Sequence, residues 1–293
     1  MEKTQLSMLF EYHEPDDILA EVKRLYRIHY PFTGFSRVKK TFTCIKNLFA
    51  GKFRGYRACN TEYHNLSHTI DTMLAAMRLI DGYNIENEPF SREQCILLLQ
   101  AALLHDTGYI QKTDDFLGTG AKYTREHVER SKEFLKENHT KLSLAKTDIS
   151  FLVQAIDSTG VNPSPVVPRE ASKQDQYAAV IVGAADLIAQ MADRVYLEKL
   201  LFLYYEFREA GIPGYDTEFD IIRKTLEFYE IAVHRLEKEF LGVYHCARSH
   251  FRLRYASDYN IYMQAIENNI EYIRKIIEDD TTNFRAKLHR VSI

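Results

Sequence analysis

Tryptophan is absent from the 293 residues, and glycine (12) and proline (7) are scarce. So few turn formers argue against a β-sandwich rich in tight turns and exclude a collagen-like chain. Only four cysteines occur, Cys44, Cys59, Cys95 and Cys246, and none forms a C-x-x-C pair. A zinc ribbon and a thioredoxin-type motif are thereby excluded. The longest apolar stretches, 96–104 and 178–185, are interrupted by Gln100 and Gly183. They fall far short of the roughly 20 residues that span a bilayer. The N-terminus, Met1-Glu2-Lys3-Thr4-Gln5, has no basic region followed by an apolar one, so no secretory signal and a cytoplasmic, reducing location are expected. Neither sign of charge dominates, the formal net charge being −3. No global field demands DNA or an anionic membrane as partner, and there is no clear nucleic-acid footprint.

What is present is ordinary globular composition, 45% apolar and 27% charged, with helical periodicity throughout. Ile18, Leu19, Val22, Leu25 and Tyr26 share one face of a helix over 17–30. Ser91-Arg92-Glu93-Gln94 has the capping-box pattern, and the nearly all-apolar helix that follows it to His105 must be central. Further helices are expected over 123–138, 143–158, 173–192, 196–210, 216–241 and 258–278, with breaks at 161–168 and 211–214. The expectation is an all-α fold, a compact helical bundle with additional N- and C-terminal helices. Residues 1–60 form a helical extension with a basic segment, 61–211 the core, and 212–293 C-terminal helices packed on it. Those long helices offer a homodimer face.

Three patterns carry chemistry. In Tyr63-His64-Asn65-Leu66-Ser67-His68-Thr69-Ile70-Asp71, a helix puts His64 and His68 on one face with Asp71 beside them. Two exposed histidines at a helix start are the plainer reading. His105-Asp106 closes the apolar helix, and Thr107-Gly108 breaks it. Two ionisable groups there cost several kcal/mol unless paired or metal-bound, or unless they simply face water at a helix end. Asp186 lies inside the apolar run Gly183-Ala184-Ala185-Asp186-Leu187-Ile188-Ala189-Gln190 and needs a cation, an arginine or a metal. His68, His105, Asp106 and Asp186 together make a two-imidazole, two-carboxylate set. Such a set suits a divalent ion, one of Mn, Mg, Zn, Fe, Co or Ni, with positions open for water and substrate.

The order His, His-Asp, Asp on successive helices resembles the HD superfamily of metal-dependent phosphohydrolases. The resemblance covers roughly residues 61–211. Tyr63-His64-Asn65-Leu66-Ser67-His68-Thr69 also looks like the signature of the class I cyclic-nucleotide phosphodiesterases, a branch of that superfamily. The stretch from Tyr196-Leu197-Glu198 to Glu206-Phe207-Arg208 loosely echoes the same branch. The resemblance implies a small phosphorylated substrate, nucleotide or cyclic nucleotide-like, cleaved by a metal-activated water. It implies His64 as general acid, His68 as a metal ligand, and Asp106 as both ligand and catalytic group. His127 matches a ligand of a second ion, which Asp106 would bridge.

The chain departs from the branch at Tyr109, where a histidine is usual. A further histidine expected near 157–159 is absent, and Asp157 is the remaining candidate for that place. Asn65, Asp71, Tyr109, Glu126, Glu129, Asp157 and Gln190 are candidates to orient ligand rings or contact substrate. From Arg37 to Arg57 there are seven basic residues and no acidic one, either a lid that attracts phosphate or a solvated face. Two other classes remain open: a non-catalytic HD-type module that binds a nucleotide or a protein, and a di-iron HD-fold oxygenase. The intact His105-Asp106 pair argues against the first, and the incomplete second set against the other.

Overall fold

The computed structural model describes residues 14–32, 34–160, 171–279 and 283–288. Among these residues the protein is all-α, with no strand and a single isolated bridge between Tyr56 and Lys112. The helices are α1 (Pro15–His29), α2 (Phe35–Phe49), α3 (Leu66–Glu86), α4 (Arg92–Leu104), α5 (His127–Asn138) and α6 (Ile149–Asp157). They continue with α7 (Lys173–Met191), α8 (Tyr196–Glu209), α9 (Glu218–His234), α10 (Cys246–Tyr255) and α11 (Ile261–Glu278).

The axis of the bundle is α3, which is buried on nearly all sides. It packs against α1, α4, α7 and α10. As its composition requires, α4 is buried at every position from Cys95 to Leu104. Its capping box forms: Ser91 Oγ accepts from Gln94 N at 3.1 Å, and Gln94 Oε1 accepts from Ser91 N at 3.0 Å. Gln100, the polar residue in that run, donates to Thr41 Oγ1 at 2.8 Å. One apolar core runs from Ile18 to Leu288, so the terminal helices share it with the middle of the chain. No helix among the described residues is long and apolar enough to cross a membrane.

A buried ion cluster pins α1 and α10 to α3. Asp81 accepts from His29 and His250, each at 2.7 Å, and from both Arg254 nitrogens at 3.1 and 2.7 Å. Burial opposes the charge on Asp81, but these donors outweigh it and hold the carboxyl well below the usual range.

Several expected boundaries move. The helix expected over 143–158 starts only at Ile149, because Ser143 takes a left-handed turn (φ 61°) after α5. Over 123–138 the α-helix begins at His127, preceded by a 3-10 turn at Gly120–Tyr123. Over 216–241, α9 ends at His234 and continues as a π-helical turn, Arg235–Glu239. Helices α2 and α10 fall within the expected helical extension and C-terminal helices, but their bounds are not marked by the sequence, the apolar positions of α10 being few. The loop expected at 161–168 lies outside the described residues, whereas the break at 211–214 separates α8 from α9.

Candidate metal centre

The first histidines are placed by a helix cap. Asn65 is extended (φ −120°), and its side chain accepts from His68 N at 3.1 Å, so α3 begins at Leu66. The expected i, i+4 pairing of His64 and His68 on one helix is therefore corrected: His64 precedes the helix. The asparagine satisfies an otherwise orphaned amide and stops the helix from extending back to His64. Asn65 is a capping residue, with its amide donating to Glu62 O at 2.6 Å.

His105 caps the C-terminus of α4, and Asp106 opens the 3-10 turn Thr107–Tyr109. Ser131 of α5 clasps this turn, donating to His105 O at 2.5 Å and accepting from Gly108 N at 2.8 Å. A Cβ on Gly108 would lie 1.9 Å from His127 O, so only glycine lets α5 approach this closely. Asp186 arrives on α7. One turn earlier, Gly183 abuts Ser158 at the end of α6, where a Cβ would lie 2.4 Å from Ser158 O.

Four side chains converge. His68 Nε2 is 3.0 Å from Asp186 Oδ1 and 3.4 Å from Asp106 Oδ2. His105 Nε2 is 3.2 Å from Asp106 Oδ2 and 3.7 Å from Asp186 Oδ1. The two Nε2 atoms are 3.4 Å apart. His105 Nδ1 donates to Ala102 O at 2.7 Å, which leaves Nε2 as the inward-facing atom. Asp106 Oδ2 is buried and has no hydrogen-bond partner. Two imidazole nitrogens face this oxygen without a well-directed hydrogen bond to it, and a donor set of this chemistry fits a divalent cation. Burial disfavours charge on His105, but Asp106 overcomes it and raises the imidazole to about 9. Asp106 and Asp186 are both held below the ordinary carboxylate value, the nearby histidines outweighing the cost of burial.

His127 faces the other oxygen of Asp106, with Nε2 3.9 Å from Oδ1. Its Nδ1 bonds Thr124 O at 2.7 Å, so its Nε2 also faces inward. Burial holds its pKa down, with Asp106 opposing. Asp157, the candidate to complete a second set, pairs instead with Lys132 at 2.5 Å. Lys132 also takes Glu129. Neither acid orients a ring, and Glu126 is exposed ahead of α5. The carbonyl of Thr124 does what those carboxylates were expected to do.

Asp71 does not hydrogen-bond His68. Its nearest donor is Ser67 Oγ at 3.5 Å, and it lines a small cavity with Tyr63, His68, Gln190, Asp193 and Lys199. Burial first, then Asp193, raises its carboxyl to about 6. Gln190 is engaged by Tyr63, which donates to its Oε1 at 2.8 Å.

Sequence reasoning missed the partner of His64. Glu206 of α8 places Oε2 2.6 Å from His64 Nδ1, while its Oε1 accepts from Tyr63 N at 2.7 Å. Burial opposes the imidazolium, but Glu206 prevails and raises the His64 pKa. Tyr109 fills the space between His64 and His127. It stacks on the first at 4.2 Å and 12°, and on the second at 4.7 Å and 20°. Its hydroxyl is 3.4 Å from His64 Nε2. The only signal for Glu206 was the loose echo around Glu206-Phe207-Arg208, which indicates no partner.

A family model described as Npun_R2479-like matches residues 112–249, a little under half of the chain. The matched part includes His127, Asp186 and Glu206 but starts after His105-Asp106. No curated protein and no solved structure matches the chain.

Proposed function

We propose that this protein is a metal-dependent phosphohydrolase that cleaves a nucleotide or cyclic-nucleotide-like phosphoester. The observation that carries the reading is the convergence of His68, His105, Asp106 and Asp186, with Asp106 Oδ2 left without a hydrogen bond. These four residues would hold the ion. A divalent ion in such a set supplies Lewis-acid charge and lowers the pKa of a water towards neutrality.

The rest is the work of the chain. His64 is 15% exposed, at the edge of the cluster, and Glu206 raises its pKa, which favours the charged form. It donates its Nε2 proton to the departing ester oxygen, while Glu206 fixes Nδ1. Tyr109 braces the ring against rotation. The His127 face of Asp106 has one imidazole, and Asp157 is turned away from it, which supports one complete ligand set and argues against the di-iron alternative. The four free thiols support a reducing, cytoplasmic setting.

Elemental analysis of the purified full chain, followed by a phosphoester screen, tests the reading. We expect about one equivalent of divalent metal in this four-ligand site. His105→Ala and Asp106→Ala lose both metal and turnover. His64→Ala keeps the metal and loses about 10²- to 10⁴-fold in rate. A chain that takes up no metal from excess ion overturns it.

A further inference from the structure

Large apolar side chains cost free energy in water, and Phe116 and Leu117 are adjacent and 74% and 80% exposed. Their loop is not loose. Arg57 N donates to Gln111 O at 2.9 Å and Thr113 N to Gly55 O at 3.1 Å, which ties the loop to the segment around Gly55. The carbonyl of Leu117 accepts from Gln111 Nε2 at 3.1 Å and from Lys122 Nζ at 2.5 Å. Thr119 Oγ1 donates to Glu209 at 2.6 Å. Braced at both ends, the tip cannot fold back to bury its two side chains.

Three cations near the tip, Lys52, Arg54 and Arg57, form no ion pair with a carboxylate among the described residues. Lys52, Arg54 and Lys112 are exposed on the paired segments, and Arg57 lies against the Phe116 ring at 5.4 Å. Of the local acids, Asp115 pairs with Lys122 and accepts from Tyr123, each at 2.5 Å, while Asp114 and Glu209 are exposed. Lys112 also reaches Glu137 at 3.7 Å.

We propose that the 52–57 and 112–117 segments form one platform that docks on an anionic lipid surface, with Phe116 and Leu117 entering the headgroup layer and Lys52 and Arg54 pairing with lipid phosphates and carboxylates. A braced apolar tip beside unpaired cations is a composition that interfacial docking uses. Leucine beside phenylalanine favours lipid over a nucleic acid, because leucine offers no face for a base to stack on.

The test is co-sedimentation of the full chain with phosphatidylcholine vesicles and with mixed phosphatidylcholine–phosphatidylserine vesicles. Wild type should pellet with the mixed vesicles alone, and less so as salt rises. The Phe116→Ser/Leu117→Ser and Lys52→Glu/Arg54→Glu double variants should each weaken binding about tenfold or more. Because all four positions are exposed, melting temperatures should match wild type. Absence of binding to the mixed vesicles overturns the proposal, as does equal binding by either variant. So does a result in which the serine variant loses only self-association, or only retention on single-stranded RNA.

Discussion

Glu206 Oε2 lies 2.6 Å from His64 Nδ1, although 142 residues separate the two in the chain. The same carboxylate accepts the backbone N–H of Tyr63, so one side chain from α8 fixes the position of His64 and favours its charged form. Glu206→Gln should keep this shape and remove the charge. Without that carboxylate, His64 titrates at lower pH, because burial is then opposed only by the more distant Asp106 and Asp186. In a phosphoester assay the alkaline limb of the rate profile should move to lower pH, and turnover should fall by about 10- to 100-fold, within the range of general-acid contributions. Metal content should not change. An unchanged profile would sink the role given to Glu206.

Metal uptake should depend on pH through His105. Its Nε2 must lose a proton to bind an ion, and in the metal-free protein Asp106 raises it from 6.5 to about 9 against the opposing effect of burial. Below that value each pH unit should cost about tenfold in affinity. The stability of the metal-free protein should run the other way. A raised imidazole stabilises the fold fully below its unfolded value and loses that contribution as pH climbs through about 9. The lowered carboxyl of Asp106 contributes above its ordinary value and is lost in acid. Melting temperatures in chelator should therefore decline from pH 6.5 to 9, and metal titrations should tighten over the same interval.

Gly108→Ala should loosen the centre. The added Cβ meets His127 O at 1.9 Å, and backbone on both sides has to shift. We expect a loss of about 1–3 kcal/mol in denaturant unfolding, typical of overpacking. The signature of His127 in a histidine-resolved NMR titration should move as well. If both stay at wild-type values, the close approach of α5 to the Thr107–Tyr109 turn is not as described.

Asp81→Ala should be among the most destabilising single changes away from the centre. It strips the shared acceptor from His29, His250 and Arg254 and leaves a guanidinium at the junction of α1, α3 and α10 without its carboxylate. Breaking a buried pair from one side costs about 3–5 kcal/mol, measurable as a shift in the urea midpoint. A cost below about 1 kcal/mol would show that water reaches the cluster.

Much of the helical architecture can be read locally. The capping box at Ser91 and the apolar run behind it announced α4, and the stripe of Ile18, Leu19, Val22, Leu25 and Tyr26 announced α1. The bounds of α10 escaped because its buried residues are few and mixed with arginines, so burial against α3, rather than its own periodicity, decides them. The sequence pattern alone does not locate the helix start between His64 and His68, because asparagine at position 65 serves equally well within a motif or as a cap. Only the trapped amide of His68 distinguishes the two.

The sequence by itself determined that the chain is helical, and it singled out His68, His105, Asp106 and Asp186. Charged groups within apolar helices have few inexpensive explanations, and those residues announce themselves without knowledge of their neighbours. The tertiary structure alone decided which acids serve them. Lys132 draws Asp157 away from His127, Thr124 supplies a carbonyl where Glu126 was expected, and Glu206 comes from α8 to hold His64. Hydrogen bonds and ion pairs act over about 3 Å of space whatever the separation along the chain, and helical periodicity reports which face a residue occupies, not what lies across from it.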